Sequence, residues 1–277
     1  MDIAAEKAGA SRPSPGLVVL TSRKGGTGKS TAAVCLAAAL AQKGEKVLLC
    51  DLDFACRADD LLLGCENDVL FDLGDLAAGR ADAARCTVPV PGCEGLWLLP
   101  APLADGPAED PEAIRRAVKT AAAALGCTQI LADTRADSDP AALALFPEAD
   151  LVLSVTTSDP AALRGSEALA YALDAAGARC VKLLVNRFDA DAVLGGTAPG
   201  ISACIDRTHT ELFGVIPESE ALRRMGAGRP LNLTDGKRGD PTGTDGAFGR
   251  LAARLLGEEQ PLLASLAAKK RRRLLES

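Results

Sequence analysis

Short, nearly unbroken runs of aliphatic and β-branched residues alternate along the chain with longer segments rich in Ala and Leu. The runs at 17–21, 46–50, 96–99, 129–132, 151–156, 181–185 and 212–215 predict strands, and their lack of polar alternation is expected of strands covered on both faces. The longer segments predict helices at 29–43, 69–78, 111–124, 141–145, 161–175, 219–225 and 246–256. Strands alternating with helices imply an α/β fold, a three-layer sandwich whose mostly parallel, twisted sheet carries helices on both faces. Two segments, 189–200 and 234–244, are rich in Gly and Asp and read as surface loops, and neither marks a domain boundary. No internal repeat is visible. The expected organisation is a flexible lead-in over 1–16, one large domain over 17–260 and a basic tail over 261–277.

Composition narrows this picture in three ways. At 48% hydrophobic and 3% aromatic, the chain can bury a large core, and that core must be aliphatic. No apolar run approaches the roughly 20 residues that cross a bilayer, and residues 1–16 lack the charged and apolar blocks of a secretory signal. The nine cysteines include no C-x-x-C pair and several lie in apolar runs, which reads as reduced buried thiols in a cytoplasmic protein; a zinc or iron–sulfur site is the alternative. Net charge is −6, but Lys269, Lys270, Arg271, Arg272, Arg273 and Glu276 put +4 into the last nine residues and leave −10 on the other 268. Such an acidic body repels nucleic acid, so contact with an anionic surface is expected through the tail or a local patch.

Candidate chemistry begins where the first predicted strand ends. Lys24-Gly25-Gly26-Thr27-Gly28-Lys29-Ser30-Thr31 follows an apolar strand and opens a helix, the setting of a phosphate-binding P-loop. Glycines let backbone N–H groups crowd round phosphate oxygens, and a helix N-terminus favours the negative charge. Lys29 is the candidate for the β- and γ-phosphates and the Ser30 hydroxyl for Mg²⁺, with ATP as the expected nucleotide. The first glycine of the strict pattern is replaced by Arg23, and a second lysine stands at Lys24. Two further strands end in acids: Asp51 and Asp53 on the second, and Asp133 after Ile130-Leu131-Ala132. Carboxylates at the C-terminal ends of strands lie where an α/β sheet binds its ligand, and they can hold a magnesium shell or orient an attacking water.

The loop, with its extra Lys24, resembles the deviant Walker A motif of the MinD/ParA superfamily of ATPases. The stretch from Asp51 through Leu63-Gly64-Cys65-Glu66, then Val69-Leu70-Phe71-Asp72-Leu73 and Gly79, is similar to the MinD branch, as are Gly95-Leu96-Trp97-Leu98-Leu99-Pro100-Ala101, Leu184-Val185-Asn186-Arg187, Gly214-Val215-Ile216-Pro217-Glu218 and Arg229-Pro230-Leu231. The resemblance covers about residues 17–260. It implies an ATP-sandwiched homodimer in which Lys24 reaches the partner's nucleotide, a catalytic set of Lys24, Lys29 and Asp53, and Mg²⁺ held by Ser30, Asp51 and Asp133. It also implies a nucleotide cradle of Gly25, Gly26, Thr27, Gly28, Lys29, Ser30 and Thr31, with Asn186, Arg187, Pro217 and Glu218 on the adenine side. Two positions depart from the family pattern: Ala58 replaces a usual Asn, and Asp137 replaces a glycine near the γ-phosphate, where a carboxylate repels phosphate unless a cation such as Arg135 meets it. Slow ATP hydrolysis is the expectation.

Members of the MinD branch end in an amphipathic helix that inserts into membrane after dimerisation. Here Leu262, Leu263, Leu266 and Leu274 share one broad helical sector, interrupted by Lys270 and Arg273. Basic residues near an anionic leaflet contribute about 1 kcal/mol each, and two tails on a dimer gain by effective concentration. The expected function is therefore a positioning switch for cell-division-site placement. Its partners would be an anionic membrane surface and a division protein, and its location would be cytoplasmic and peripheral at the inner face of the membrane when ATP is bound. The alternatives are a ParA-type DNA or cargo partitioning ATPase, disfavoured by the acidic body, and a nucleotide-gated adaptor with little hydrolysis. Iron–sulfur, nitrogenase-reductase-like and tyrosine-kinase relatives fit less well, lacking the required cysteine or tyrosine clusters.

Overall fold

The computed structural model describes residues 16–103, 110–136, 145–226 and 244–262. Eight strands form one sheet in the order β3-β4-β2-β5-β1-β6-β7-β8, comprising β1 (Gly16–Thr21), β2 (Val47–Leu52), β3 (Val88–Pro89), β4 (Leu96–Leu99), β5 (Gln129–Thr134), β6 (Leu151–Thr157), β7 (Val181–Phe188) and β8 (Leu212–Pro217). All neighbouring pairs are parallel except β3–β4, where Val88 faces Leu98 in antiparallel register. The helices are α1 (Lys29–Gln42), α2 (Asp59–Leu63), α3 (Leu73–Ala77), α4 (Ala83–Cys86), α5 (Pro111–Leu125), α6 (Pro160–Ala175), α7 (Ala190–Leu194), α8 (Ile201–Thr208), α9 (Glu220–Gly226) and α10 (Thr244–Leu255).

The unbroken apolar runs divide by parity. Val18, Leu20, Val47, Leu49 and Leu131 face a core built with α1 and α10. Leu17, Val19, Leu48, Cys50, Ile130 and Ala132 face the opposite core, with α3, α4, α5 and part of α6. A third cluster joins Leu163 of α6 to Leu183, Val185, Cys204 and Leu212. Alternate residues of a strand point to opposite faces, so both parities must be apolar when both faces are covered. Helix α1 is buried from Ala32 through Ala41 because it lies between the sheet and α10, leaving it no solvent face. Its alanines permit that close packing. On β8, a Cβ built at Gly214 would stand 2.4 Å from Leu251 Cδ2 of α10, so a side chain there would have to push Leu251 aside.

Several boundaries differ from expectation. Gly16, assigned to the lead-in, opens β1, and β2 and β5 run on through Asp51 and Asp133, because parallel pairing continues to Leu52 and Thr134. The single helix expected over 69–78 is instead a 3-10 turn at Glu66–Asp68 followed by α3. Asp72 and Asp75 form a reciprocal capping box that starts the helix at Leu73. The loop expected over 189–200 contains α7, capped by the Asp189 carboxylate and pinned by buried Val193. Strand β3 and helices α2, α4 and α8 are additions that sequence patterning did not reveal. They are two to eight residues long, too short to show a period. The expected helix over 141–145 lies outside the described residues except for Leu145, as do Asp137, the motif at Arg229-Pro230-Leu231, the loop 234–243 and the tail beyond Leu262.

Candidate nucleotide site

At the C-terminal edge of the sheet, β1 leads into the loop and the loop into α1. Gly28 occupies the N-cap of α1 with φ 80°, and Gly26 is also left-handed. Helix α1 has no side-chain cap, so its first N–H groups stay available to an anion. Asn186, at the end of β7, braces the loop from behind: its Nδ2 donates to the Thr27 carbonyl at 2.8 Å and the Gly28 carbonyl at 3.4 Å. Thr27 is buried, and its hydroxyl has no hydrogen-bond partner among the described residues.

The two lysines of the loop take different positions. Lys29 is buried, with Nζ 2.8 Å from Asp133 Oδ1. Burial lowers its pKa, but attraction to Asp133, Asp59 and Asp53 outweighs that and the net shift is upward, so Lys29 is charged at neutral pH. Lys24 sits on the rim, 47% exposed, with Nζ 3.1 Å from Asp159 Oδ1. Asp159 also caps α6 through Ala162 N–H at 3.0 Å and accepts from the Thr157 hydroxyl at 2.5 Å. A cavity of about 250 Å³ runs from Lys24, Gly25, Gly26 and Thr27 past Thr157 and Asp159 to Arg187 and Glu218. Arg187 Nε donates to Glu218 Oε2 at 3.1 Å, which gathers two of the four expected adenine-side residues at one end of this cavity. Asn186 is buried behind the loop, and Pro217 closes β8 beside Phe188 without lining the cavity.

Below the loop the carboxylates converge. β2 and β5 are adjacent and in register, with Asp51 opposite Asp133, so the sheet itself sets these two acids side by side. Asp51 organises the segment that follows it: Oδ1 accepts from Asp53 N–H at 2.9 Å, and Oδ2 from Ala58 N–H at 3.1 Å and Asp59 N–H at 3.2 Å. Asp53 is half-buried and accepts from Ala55 and Cys56 N–H at 3.2 and 3.0 Å. The turn thus formed brings in a third acid that sequence reasoning passed over. Asp59, the first residue of α2, is wholly buried, and one oxygen each of Asp51, Asp59 and Asp133 lies within 4.8 Å of the others. Among the described residues, neither oxygen of Asp59 has a hydrogen-bond partner. Its signal was faint: an Asp59-Asp60 pair set directly against Leu61-Leu62-Leu63 obliges acidic groups to travel inward with the leucines.

Electrostatics follow from this crowding. Burial, then the neighbouring Asp133 charge, pushes Asp51 up to about 7 against the opposing backbone N–H donors. Asp59 is driven well above the usual carboxylate range by burial and by Asp133 and Asp51. Burial also raises Asp133, partly countered by Lys29 and by a hydrogen bond with Ser30. Three hard oxygen donors, one of them unpartnered, suit a hard divalent cation such as Mg²⁺. Among the described residues this is the only acid, His or Cys cluster with such spacing. Of the nine cysteines, seven are buried, Cys180 is half-buried and only Cys56 is exposed, in keeping with scattered thiols. No helix among the described residues is long and apolar enough to cross a membrane.

Comparison with known proteins agrees with this geometry. Residues 18–231 match the CobQ/CobB/MinD/ParA nucleotide binding domain. The septum site-determining protein MinD of Neisseria meningitidis is 29% identical over 264 residues, spanning 92% of this chain and 96% of that protein. Among solved structures, the MinC:MinD cell division protein complex of Aquifex aeolicus aligns with a TM-score of 0.78 at 29% identity, covering 89% of this chain and 98% of that one. The MinD of Pyrococcus horikoshii complexed with Mg-ADP shares the fold, with a TM-score of 0.71 at 24% identity over 92% of this chain and 98% of that one. With its parallel sheet, glycine loop and strand-end acids, this chain belongs to the CobQ/CobB/MinD/ParA nucleotide binding family, and its relatives at 29% identity are MinD proteins.

Proposed function

We propose that the chain is a MinD-like ATPase, a switch that dimerises on binding ATP and takes part in placing the division site. The observation that carries this reading is the division of labour between the loop lysines. Lys29 lies inside, among the carboxylates, and Lys24 lies outside on the rim, held by an exposed ion pair to Asp159. An exposed pair of this kind contributes at most about 1 kcal/mol, so Lys24 can exchange Asp159 for a phosphate on a partner molecule. The arrangement resembles the deviant Walker A loop, in which the second lysine acts in trans.

In this reading the loop from Gly25 to Thr31 cradles the phosphates, Lys29 turns from Asp133 to the β- and γ-phosphates, and the adenine lies toward Asn186, Arg187, Pro217 and Glu218. Ser30, Asp51 and Asp133 would hold Mg²⁺, which neutralises charge developing on the transferred phosphoryl group. Asp53 orients the attacking water at the mouth of the site. The MinC:MinD complex of Aquifex aeolicus supports a division protein as partner. The basic tail, with its leucines, supports peripheral membrane docking of the dimer. The deciding experiment is gel filtration with light scattering in ADP, ATP and no nucleotide. Wild type should become a dimer with ATP only, Lys24→Ala should bind ATP and stay monomeric, and Lys29→Ala should bind poorly. An ATP-bound wild type that remains monomeric overturns the switch.

A further inference from the structure

We propose that Asp59 is a direct ligand of the divalent cation, completing with Asp51 and Asp133 a three-carboxylate site that takes a metal ion even when no nucleotide is bound. The inference deepens the reading above and rests on its assignment of Asp51 and Asp133 to the cation. The family resemblance calls on Ser30, Asp51 and Asp133, and Asp59 is absent from that set.

Three observations carry it. The first is geometric: one oxygen from each of the three carboxylates lies within 4.8 Å of the others, a spread that one cation at 2.0–2.6 Å from each oxygen can span. The second is the state of Asp59 itself. It is 0% exposed, and neither carboxylate oxygen meets a donor among the described residues. A buried polar group without a partner is costly and rare in native proteins, and a bound ion is one arrangement that satisfies it. Its position as first residue of α2 does not account for it, because a helix of five residues has little dipole and none of its N–H groups reaches those oxygens. The third is charge. Asp51, Asp59 and Asp133 carry −3 when ionised, and Lys29, paired to Asp133, returns +1. A dication cancels the remaining −2. With only Asp51 and Asp133 beside Lys29 the pocket would hold −1, too little to retain a dication without help from phosphate oxygens.

Asp59 and Asp51 are also joined through the backbone, since Asp51 accepts the Asp59 N–H at 3.2 Å. An ion bridging the two carboxylates would tie the start of α2 to the end of β2, so the segment between them is set before ATP arrives. Hard oxygen ligands select Mg²⁺ or Mn²⁺ over softer metals.

The test uses the full chain, freed of nucleotide, and Mn²⁺ as probe, counting free ion by its paramagnetic resonance signal. Wild type should bind one Mn²⁺ per chain, displaced by Mg²⁺, and Asp59→Asn should weaken binding at least about ten-fold. Thermal melting keeps the variant interpretable. Asp59→Asn replaces a buried, unpartnered carboxyl group with a neutral amide of the same size and should melt no lower than wild type without metal, while losing the upward shift that Mn²⁺ gives wild type. A purely structural Asp59 predicts the reverse, a lower melting point and an unchanged metal shift. Wild type that binds Mg-ATP but no ion without nucleotide, or an Asp59→Asn variant with wild-type Mn²⁺ affinity, overturns this inference alone. Wild type that binds neither Mg-ATP nor ion overturns the ATPase reading as well.

Discussion

At residue 28 the backbone turns through φ 80°, and a Cβ built there would stand 2.4 Å from Asn186 Nδ2. Gly28→Ala therefore meets strain twice, once in a left-handed backbone costing about 1–2 kcal/mol and once against the side chain that braces the loop. A lowered melting midpoint together with loss of fluorescent-ATP binding is the expected outcome; intact binding would mean that the loop relaxes round the methyl group. A pH dependence also belongs to this scale. Asp51 titrates at about 7 in the fold, against about 3.9 in an unfolded chain. A carboxyl raised on folding contributes stability that is fully present below its unfolded value and is lost as pH rises through its folded one. The metal-free protein should therefore lose stability between about pH 4 and 7, and Mg²⁺ should counter the loss at the upper end; melting curves across that range with and without Mg²⁺ check both signs. Much of this site was legible before the fold, because Lys24, Lys29, Ser30, Asp51 and Asp133 stand at motif positions or strand ends. Asp59 was not, since seven residues separate it from Asp51 and only the folded backbone shows that the turn closes on itself. The pairing of Lys24 with Asp159 was equally hidden, being a contact across 135 positions between two loops.

Among the elements, the central strands were readable because burial on both faces leaves a mostly apolar run without polar alternation, as in β1, β2, β5 and β6. Short pieces were hidden for the opposite reason: α2, α4 and α7 have four or five residues each, and their ends are set by caps or turns rather than by periodicity. The capping box at α3 offers a measured test. Asp72→Ala leaves Asp75 N–H without its acceptor and should cost about 1 kcal/mol in urea unfolding, with little change in nucleotide affinity. At the other end of the sheet, Gly214→Val sets a side chain against Leu251 Cδ2, 2.4 Å from the new Cβ, and should destabilise by about 1–3 kcal/mol as α10 is forced from β8. An unchanged midpoint would show that α10 docks loosely.

For the whole molecule, charge is unevenly divided between an acidic body and a basic tail. Removing residues 268–277 takes away all five clustered basic groups and should abolish ATP-dependent sedimentation with anionic liposomes while leaving dimerisation intact. Sedimentation that survives the truncation would place membrane contact elsewhere. The chain's tolerance of insertion is just as unevenly divided. Asp51 and Asp133 face each other because β2 and β5 run side by side in register, and side chains on a strand change faces at every residue. One residue added within β2 ahead of Cys50 would turn Asp51 away and bring Cys50 into its place, whereas the stretch from α2 to β3 meets no such parity rule. A residue added to a connecting loop there leaves the pairing of Asp51 with Asp133 untouched, while the stretch from Val47 to Asp51 has only one workable length.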